Sequence, residues 1–174
     1  MIVPSILLFV LGLLGATDIK LFHTDAHHLH DHAPARGELV THALRGPTYA
    51  LLFALVPNFT FHGAVFVALL ALLAFDLAIS IVDFWLEPAS RRALGGLPRG
   101  EYLLHVIMAM LFGGLVAAVF YEAPNAISEP SELRWVSDGL PYWLRGALAG
   151  MAVGVAWSGF RDFLAVRRLG RRDA

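Results

Sequence analysis

Residues 34–42 read PARGELVTH and residues 97–105 read LPRGEYLLH. Both contain Arg-Gly-Glu-x-x-x-His: Arg36, Gly37, Glu38 and His42 in the first, Arg99, Gly100, Glu101 and His105 in the second. Each opens a long apolar run. A glutamate suits the first turn of a helix, where it meets the positive end of the helix dipole. Residues four apart differ by about 40° around an α-helix, so each Glu and His shares a face. The spacing therefore predicts two helices that begin alike.

Upstream of each motif lies another apolar run that ends in acids of its own. The first ends in ATDIKLFH with Asp18, the second in IVDFWLEP with Asp83 and Glu87. Glu38 follows Asp18 by 20 residues and Glu101 follows Asp83 by 18. Two hairpins with matching acids predict a tandem repeat, residues 2–57 and 62–121.

The chain is 174 residues long, 57% hydrophobic and 16% charged, with a mean hydropathy of +0.65. Soluble domains carry about a quarter charged residues. Apolar runs fall near 2–22, 38–57, 62–87, 101–121 and 141–165. Each has about the 20 residues that a helix needs to cross a hydrocarbon core of roughly 30 Å. The expected fold is an all-α integral membrane helical bundle, a single domain over residues 1–174. It has five transmembrane helices, the first four as two repeated hairpins and the fifth at 141–165. No basic region precedes IVPSILLFVLGLLGA, so this first run is expected to be retained as a span. The chain has no cysteine, which excludes disulfides, thiolate metal ligands and cysteine nucleophiles.

Arg36, Arg91, Arg92, Arg99, Arg167, Arg168, Arg171 and Arg172 gather where residues 23–37, 88–100 and 166–174 emerge. The opposite side has the uncharged loop PNFTFHG and an acidic one with Glu122, Glu129, Glu132 and Asp138 against Arg134. The positive-inside rule then puts the arginines in the cytoplasm of a multi-pass inner-membrane protein, with the N-terminus outside and the C-terminus inside. Topology accounts for the arginines, and no phosphate-binding loop is present, so no nucleic-acid partner is expected. The expected partners are the lipid bilayer, a lipid-soluble small molecule, and a second copy of the chain through Gly146, Gly150 and Gly154. Such a small-residue stripe allows close helix packing, on the bundle or on another chain.

Four helices thus offer Asp18, Glu38, His42, Asp83, Glu87, Glu101 and His105 at one membrane depth. Each ionisable group at the centre of a span costs roughly 2.5–3.5 kcal/mol, and less near its ends, so a compensating partner is required. Two divalent metal ions would serve, iron first and zinc or manganese as alternatives, since carboxylate with imidazole suits these metals. His23, five residues past Asp18, is a further candidate ligand. Asp18 and Asp83, outside the repeated motif, are candidates for catalytic work as well as ligation. Arg36 and Arg99 would orient ligand carboxylates or a substrate head group. In FHTDAHHLHDH, His27, His28, His30 and His32 form a second, metal-collecting loop or a solvated one.

The Glu-x-x-x-His pairs with the lone acids Asp18 and Asp83 or Glu87 resemble the carboxylate-bridged di-iron helical bundles, which use Glu-x-x-His on two helices and single glutamates on two others. Here the spacing is one residue longer. Residues 83–105, DFWLEP…RGEYLLH, look like a stretch of uncharacterised bacterial multi-pass membrane proteins. The di-iron resemblance implies an oxidoreductase of the hydroxylase type acting on a lipid-soluble substrate at the cytoplasmic side. TDIKLF followed by RGELVTHAL resembles membrane metal-dependent hydrolases, which implies a zinc-activated water instead. The remaining alternatives are metal transport or storage, haem held by His42 and His105, and a structural subunit whose acids pair with Arg36, Arg91, Arg92 and Arg99. Asp76, deep in the third run, is expected to be protonated or paired with Arg45. SELRWVSDGLPYW is expected to be a short interfacial helix anchored by Trp135, Tyr142 and Trp143.

Overall fold

The computed structural model describes residues 1–171; Arg172 lies outside the described residues. Five long helices account for most of the chain: α1 (Ile2–Asp18), α2 (Arg36–Leu55), α3 (Ala64–Arg91), α4 (Arg99–Glu122) and α5 (Tyr142–Gly170). All five contribute to one apolar core, with Leu8, Leu52, Phe66, Leu69, Leu115 and Leu148 buried in it.

Three helical segments are long and apolar enough to cross a membrane: Ile2–Ala26, Ala64–Arg91 and Arg99–Glu122. The outward faces of these helices carry Leu13, Ile81, Trp85, Leu103 and Met110, all exposed. A contiguous apolar exterior of this kind is suited to lipid rather than water. The other two helices are more polar. Arg36, Glu38 and Arg45 fall in the first half of α2, and Arg161, Asp162, Arg167 and Arg168 in the second half of α5.

α1 runs against α4, and α2 against both α3 and α5. The α1–α4 and α2–α3 approaches cross between the two repeat units, and α5 lies outside both. Glu122 at the end of α4 fixes the start of α1: its carboxylate lies 2.5 Å from the terminal amino group and accepts from the Ile2 and Val3 amides at 2.8 and 2.7 Å. It thereby satisfies amides that the first turn of a helix leaves without partners.

Of the two expected uses of the Gly146, Gly150 and Gly154 stripe, docking on the bundle does not occur. A Cβ on Gly146, Gly150 or Gly154 would meet nothing within 4 Å, so that stripe faces away from the bundle. α2 and α5 instead touch at Gly46 and Gly159, where a Cβ on either would lie 2.8 Å from the other's Cα. Backbone cannot withdraw as a flexible side chain can. Gly159→Val is expected to cost about 1–3 kcal/mol through overpacking, whereas Gly150→Val should be near neutral. Unfolding in mixed micelles, measured on both variants, checks the contrast.

The interfacial helix expected in SELRWVSDGLPYW does not form. Glu132–Trp135 is a β-strand (β2) that pairs antiparallel with β1, Phe59–His62, with Phe59 opposite Trp135 and His62 opposite Glu132. The reason is local: β1 offers an open edge, and the Phe59 ring packs edge-on against Trp135 at 5.2 Å. Tyr142 opens α5 itself. Gly63 ends β1 at φ +57°, and a Cβ there would strike the Glu129 and Ser131 backbone at 2.7 Å.

Candidate metal centre

The C-terminal ends of α1 and α3 and the N-terminal ends of α2 and α4 meet at one end of the bundle. The first element that shapes the site is irregular. α1 continues past Asp18 as a π-helix over Ile19–Ala26, and the His27 amide bonds back to the Phe22 carbonyl, five residues earlier, at 3.1 Å. In an α-helix, residues five apart point about 140° away from each other. With about 4.4 residues per turn, a π-helix reduces that to roughly 50°. The wider turn is what lets Asp18, His23 and His27 face the same interior, and all three are buried.

On α3 the buried positions Phe66, Leu69, Leu73, Asp76, Asp83, Glu87 and Ser90 follow one helical stripe. Its apolar half joins the core and its acidic half faces the site. On α2 and α4 the shared faces of Glu38 with His42 and Glu101 with His105 also turn inward. Both glutamates are fully buried, and the imidazoles are nearly so.

Arg91 stands in the middle of this cluster. It is fully buried at the end of α3, with one guanidinium nitrogen 2.6 Å from Glu38 and another 2.5 Å from Glu101. Ser90 donates a further hydrogen bond to the same Glu38 oxygen. Arg91 therefore does not belong with the exposed arginines of the 88–100 segment: it serves the interior, as the structural alternative expected of it. Nor do Arg36 and Arg99 orient these carboxylates. Arg36 lies over Gly170, at 2.8 Å from where a Cβ would stand, and Arg99 is exposed.

The imidazoles meet acids of the opposite repeat. His105 Nε2 lies 3.3 Å from Asp18 Oδ2, and His42 Nε2 lies 3.4 Å from Asp83 Oδ2. The other His105 nitrogen, Nδ1, is 3.1 Å from Glu87, and the ring lies nearly parallel to Phe84, with centroids 5.2 Å apart. His23 Nε2 reaches Asp18 at 3.3 Å, Glu101 at 3.5 Å and Glu38 at 4.0 Å, and its ring stacks on His42 at 4.6 Å. His27 Nε2 is 3.7 Å from Glu101. Burial, then the nearby Arg91 guanidinium, holds the His27 imidazole below its ordinary range.

Two sets of side chains have one ligand atom each within 4.8 Å of one another: Asp18, His23 and His105, and His23, Glu38 and His42. Neighbouring ligands of a tetrahedral ion at 2.0–2.1 Å stand about 3.3–3.4 Å apart. Asp18 Oδ2 has that separation from both of its imidazoles. Asp18 Oδ1, His23 Nε2, His27 Nε2, Glu38 Oε1 and Glu87 Oε1 are buried with no hydrogen-bond partner among the described residues. Each such atom costs roughly 1–3 kcal/mol if left so. Six carboxylates (Asp18, Glu38, Asp76, Asp83, Glu87 and Glu101) face two arginines, Arg45 and Arg91, an excess of four negative charges with neutral imidazoles. Cations or protons must offset it. The donor set fits a divalent cation.

The rest of the histidine segment divides. Leu29 is buried against Leu39 and Leu169 and ties the segment down. His30 pairs with Asp162 of α5 at 2.6 Å, while His28 is exposed, in the left-handed region at φ 47°. His32 is half-buried and belongs to neither ligand set. The segment and α5 enclose a cleft of about 490 Å³, with His23 on its wall beside Thr24, His30, Arg161 and Arg168. Deeper in, Arg45 holds Asp76 at 3.3 Å, as the sequence led us to expect.

Of the arginines that the structural alternative paired with the acids, Arg91 does pair with Glu38 and Glu101, whereas the roles of Ser90 and Thr41 were not legible in the sequence. Arg91 and Ser90 flank a proline-containing helix end that looks like loop, and Thr41, which hydrogen-bonds to Asp83, sits between the two ligands of its own motif. Known protein families, characterised proteins and solved structures offer no match to this chain.

Proposed function

We propose that the chain is a membrane-embedded metal-dependent enzyme whose centre opens towards the cytoplasmic leaflet. All five long helices cross the bilayer in this reading, with the N-terminus outside. The observation that carries the proposal is the set of buried, unpartnered ligand atoms on Asp18, His23 and Glu38, gathered from three segments into one space. Ion pairing among the described residues leaves these three atoms without a donor, and one bound cation would serve the group because they lie together.

Asp18, His23 and His105 would hold the ion, with Glu38 and His42 beside it. Glu87 would lie beside that ligand, 3.1 Å from the far nitrogen of the His105 ring but not hydrogen-bonded to it. Arg91 would keep Glu38 and Glu101 ionised and in place. Iron bound there would supply redox chemistry of the hydroxylase type, and iron is our first choice. The substrate would be lipid-soluble, entering by the cleft beside His23, where Leu164 and Ala165 offer an apolar wall.

A haem reading fits less well, because the Nε2 atoms of His42 and His105 face Asp83 and Asp18. A transporter would need polar groups beyond Asp76, yet the half of the bundle beyond it is closed by Leu69, Phe66 and Leu115. Elemental analysis and an absorption spectrum on detergent-purified protein test the proposal. Stoichiometric iron is the expected result. Stoichiometric zinc would turn the reading to a hydrolase, a Soret band to haem, and absence of any metal to a structural subunit.

A further inference from the structure

We infer that the duplicated centre holds one exchangeable divalent ion rather than two, because a resident arginine fills the second position. Asp18, His23 and His105 take the ion. At the equivalent place beside Asp83 and His42, the guanidinium of Arg45 stands where a metal would. This rests on the metal-dependent reading above and narrows it to a mononuclear centre with two imidazoles and one carboxylate.

The argument begins with the repeat. Aligning Glu38 with Glu101 places Asp18 opposite Asp83 apart from the loop-length difference, and His42 opposite His105. The contacts obey that pairing: His105 of the second unit faces Asp18 of the first at 3.3 Å, and His42 of the first faces Asp83 of the second at 3.4 Å. The two places are therefore alike in their first two groups.

They differ in the third. Asp18 Oδ2 has His23 Nε2 at 3.3 Å, and its other oxygen is buried with no hydrogen-bond partner among the described residues. No arginine or lysine pairs with that carboxylate among the described residues. Asp83 is saturated instead. One of its oxygens accepts from Thr41, and the other lies 3.6 Å from Arg45, which also holds Asp76 at 3.3 Å. The residues that do this are absent from the second copy of the motif, where Leu104 stands for Thr41 and Met108 for Arg45. The imidazole that completes the first place is likewise missing from the second, where Pro88 stands five residues past Asp83 as His23 stands five past Asp18. One copy thus has a fixed cation and no third ligand, and the other has a third ligand and no fixed cation.

The second ligand set, His23 with Glu38 and His42, does not add an ion. It uses His23 again, and one imidazole nitrogen binds one metal at a time. It describes a neighbouring position for the same ion.

The test is metal stoichiometry on the full-length protein in detergent. The protein is stripped with chelator, reloaded with Co²⁺ or Zn²⁺ against a weak competing chelator, and counted after desalting. One ion per chain is expected for the wild type and for Asp83→Asn, and none for Asp18→Asn. Arg45→Met, which frees the Asp76 carboxylate to act with Asp83 and His42, should admit a second ion, and Arg45→Met/Asp83→Asn should return the count to one. Two ions in the wild type, or an ion that survives Asp18→Asn but not Asp83→Asn, would overturn the inference and leave the metal reading standing. No ion in the wild type would overturn both. If Arg45→Met fails to fold, the contrast between Asp18→Asn and Asp83→Asn still decides.

Discussion

Replacing Arg91 with methionine is expected to destabilise the folded chain by about 3–5 kcal/mol, the range for removing one partner of a fully buried ion pair. The guanidinium is completely buried and is shared by Glu38 at 2.6 Å and Glu101 at 2.5 Å, neither of which has solvent access. Removing it leaves two carboxylates close together in an apolar bundle, where each must take up a proton or drag water inward. Thr41, Ser90 and the imidazoles have too few donors free to replace it. The triple variant Arg91→Met/Glu38→Gln/Glu101→Gln should recover most of the loss, because removing the whole charge set also removes its desolvation cost. Unfolding in mixed micelles on the wild type, the single and the triple variant measures the coupling. A single variant as stable as the wild type would mean that the carboxylates are already neutral or bound to another cation.

The second large effect is expected at His23. His23→Ala should weaken metal binding by more than about 100-fold, since losing even a residue that merely orients a ligand costs 10–100-fold. His23 is the one side chain common to both ligand sets. It is also placed by the π-helical turn, so its loss cannot be made good by a neighbour on a regular helix. His28→Ala is the control: that residue lies four positions past Thr24 on the exposed side of the segment and should change nothing. Equilibrium metal competition, with circular dichroism to verify helix content, separates the two. Equal affinity in both variants would remove His23 from the centre and with it the mononuclear assignment.

How much of this was legible beforehand varies by residue. Glu38 with His42, and Glu101 with His105, could be paired on one face because α-helical periodicity holds across both motifs. Asp76 with Arg45 followed from the cost of burying either alone. The shared face of Glu101 and His105 led one to expect common partners for the two. In the structure the two part company: Glu101 goes to Arg91 of its own repeat, while His105 reaches Glu87 of its own repeat and Asp18 of the other, across the α1–α4 approach. Periodicity fixes the face of a helix, not the helix that it meets. The strand pair was illegible for a similar reason: β1 and β2 are far apart in sequence, and each is too short to show alternation.

Composition and spacing alone determined that the chain is helical and apolar, and that two copies of one motif, with acids of the preceding helices, gather glutamates and histidines at one end. These are local properties, written into hydropathy and a 3.6-residue period. Tertiary structure decided the rest. It bent the end of α1 into a π-helix that turns His23 inward, carried Arg91 from an apparent loop into the centre, and set Arg45 beside one copy of the site and not the other. None of these can be read along the chain, because each depends on which buried charge finds which partner, and that is settled only where the helices meet.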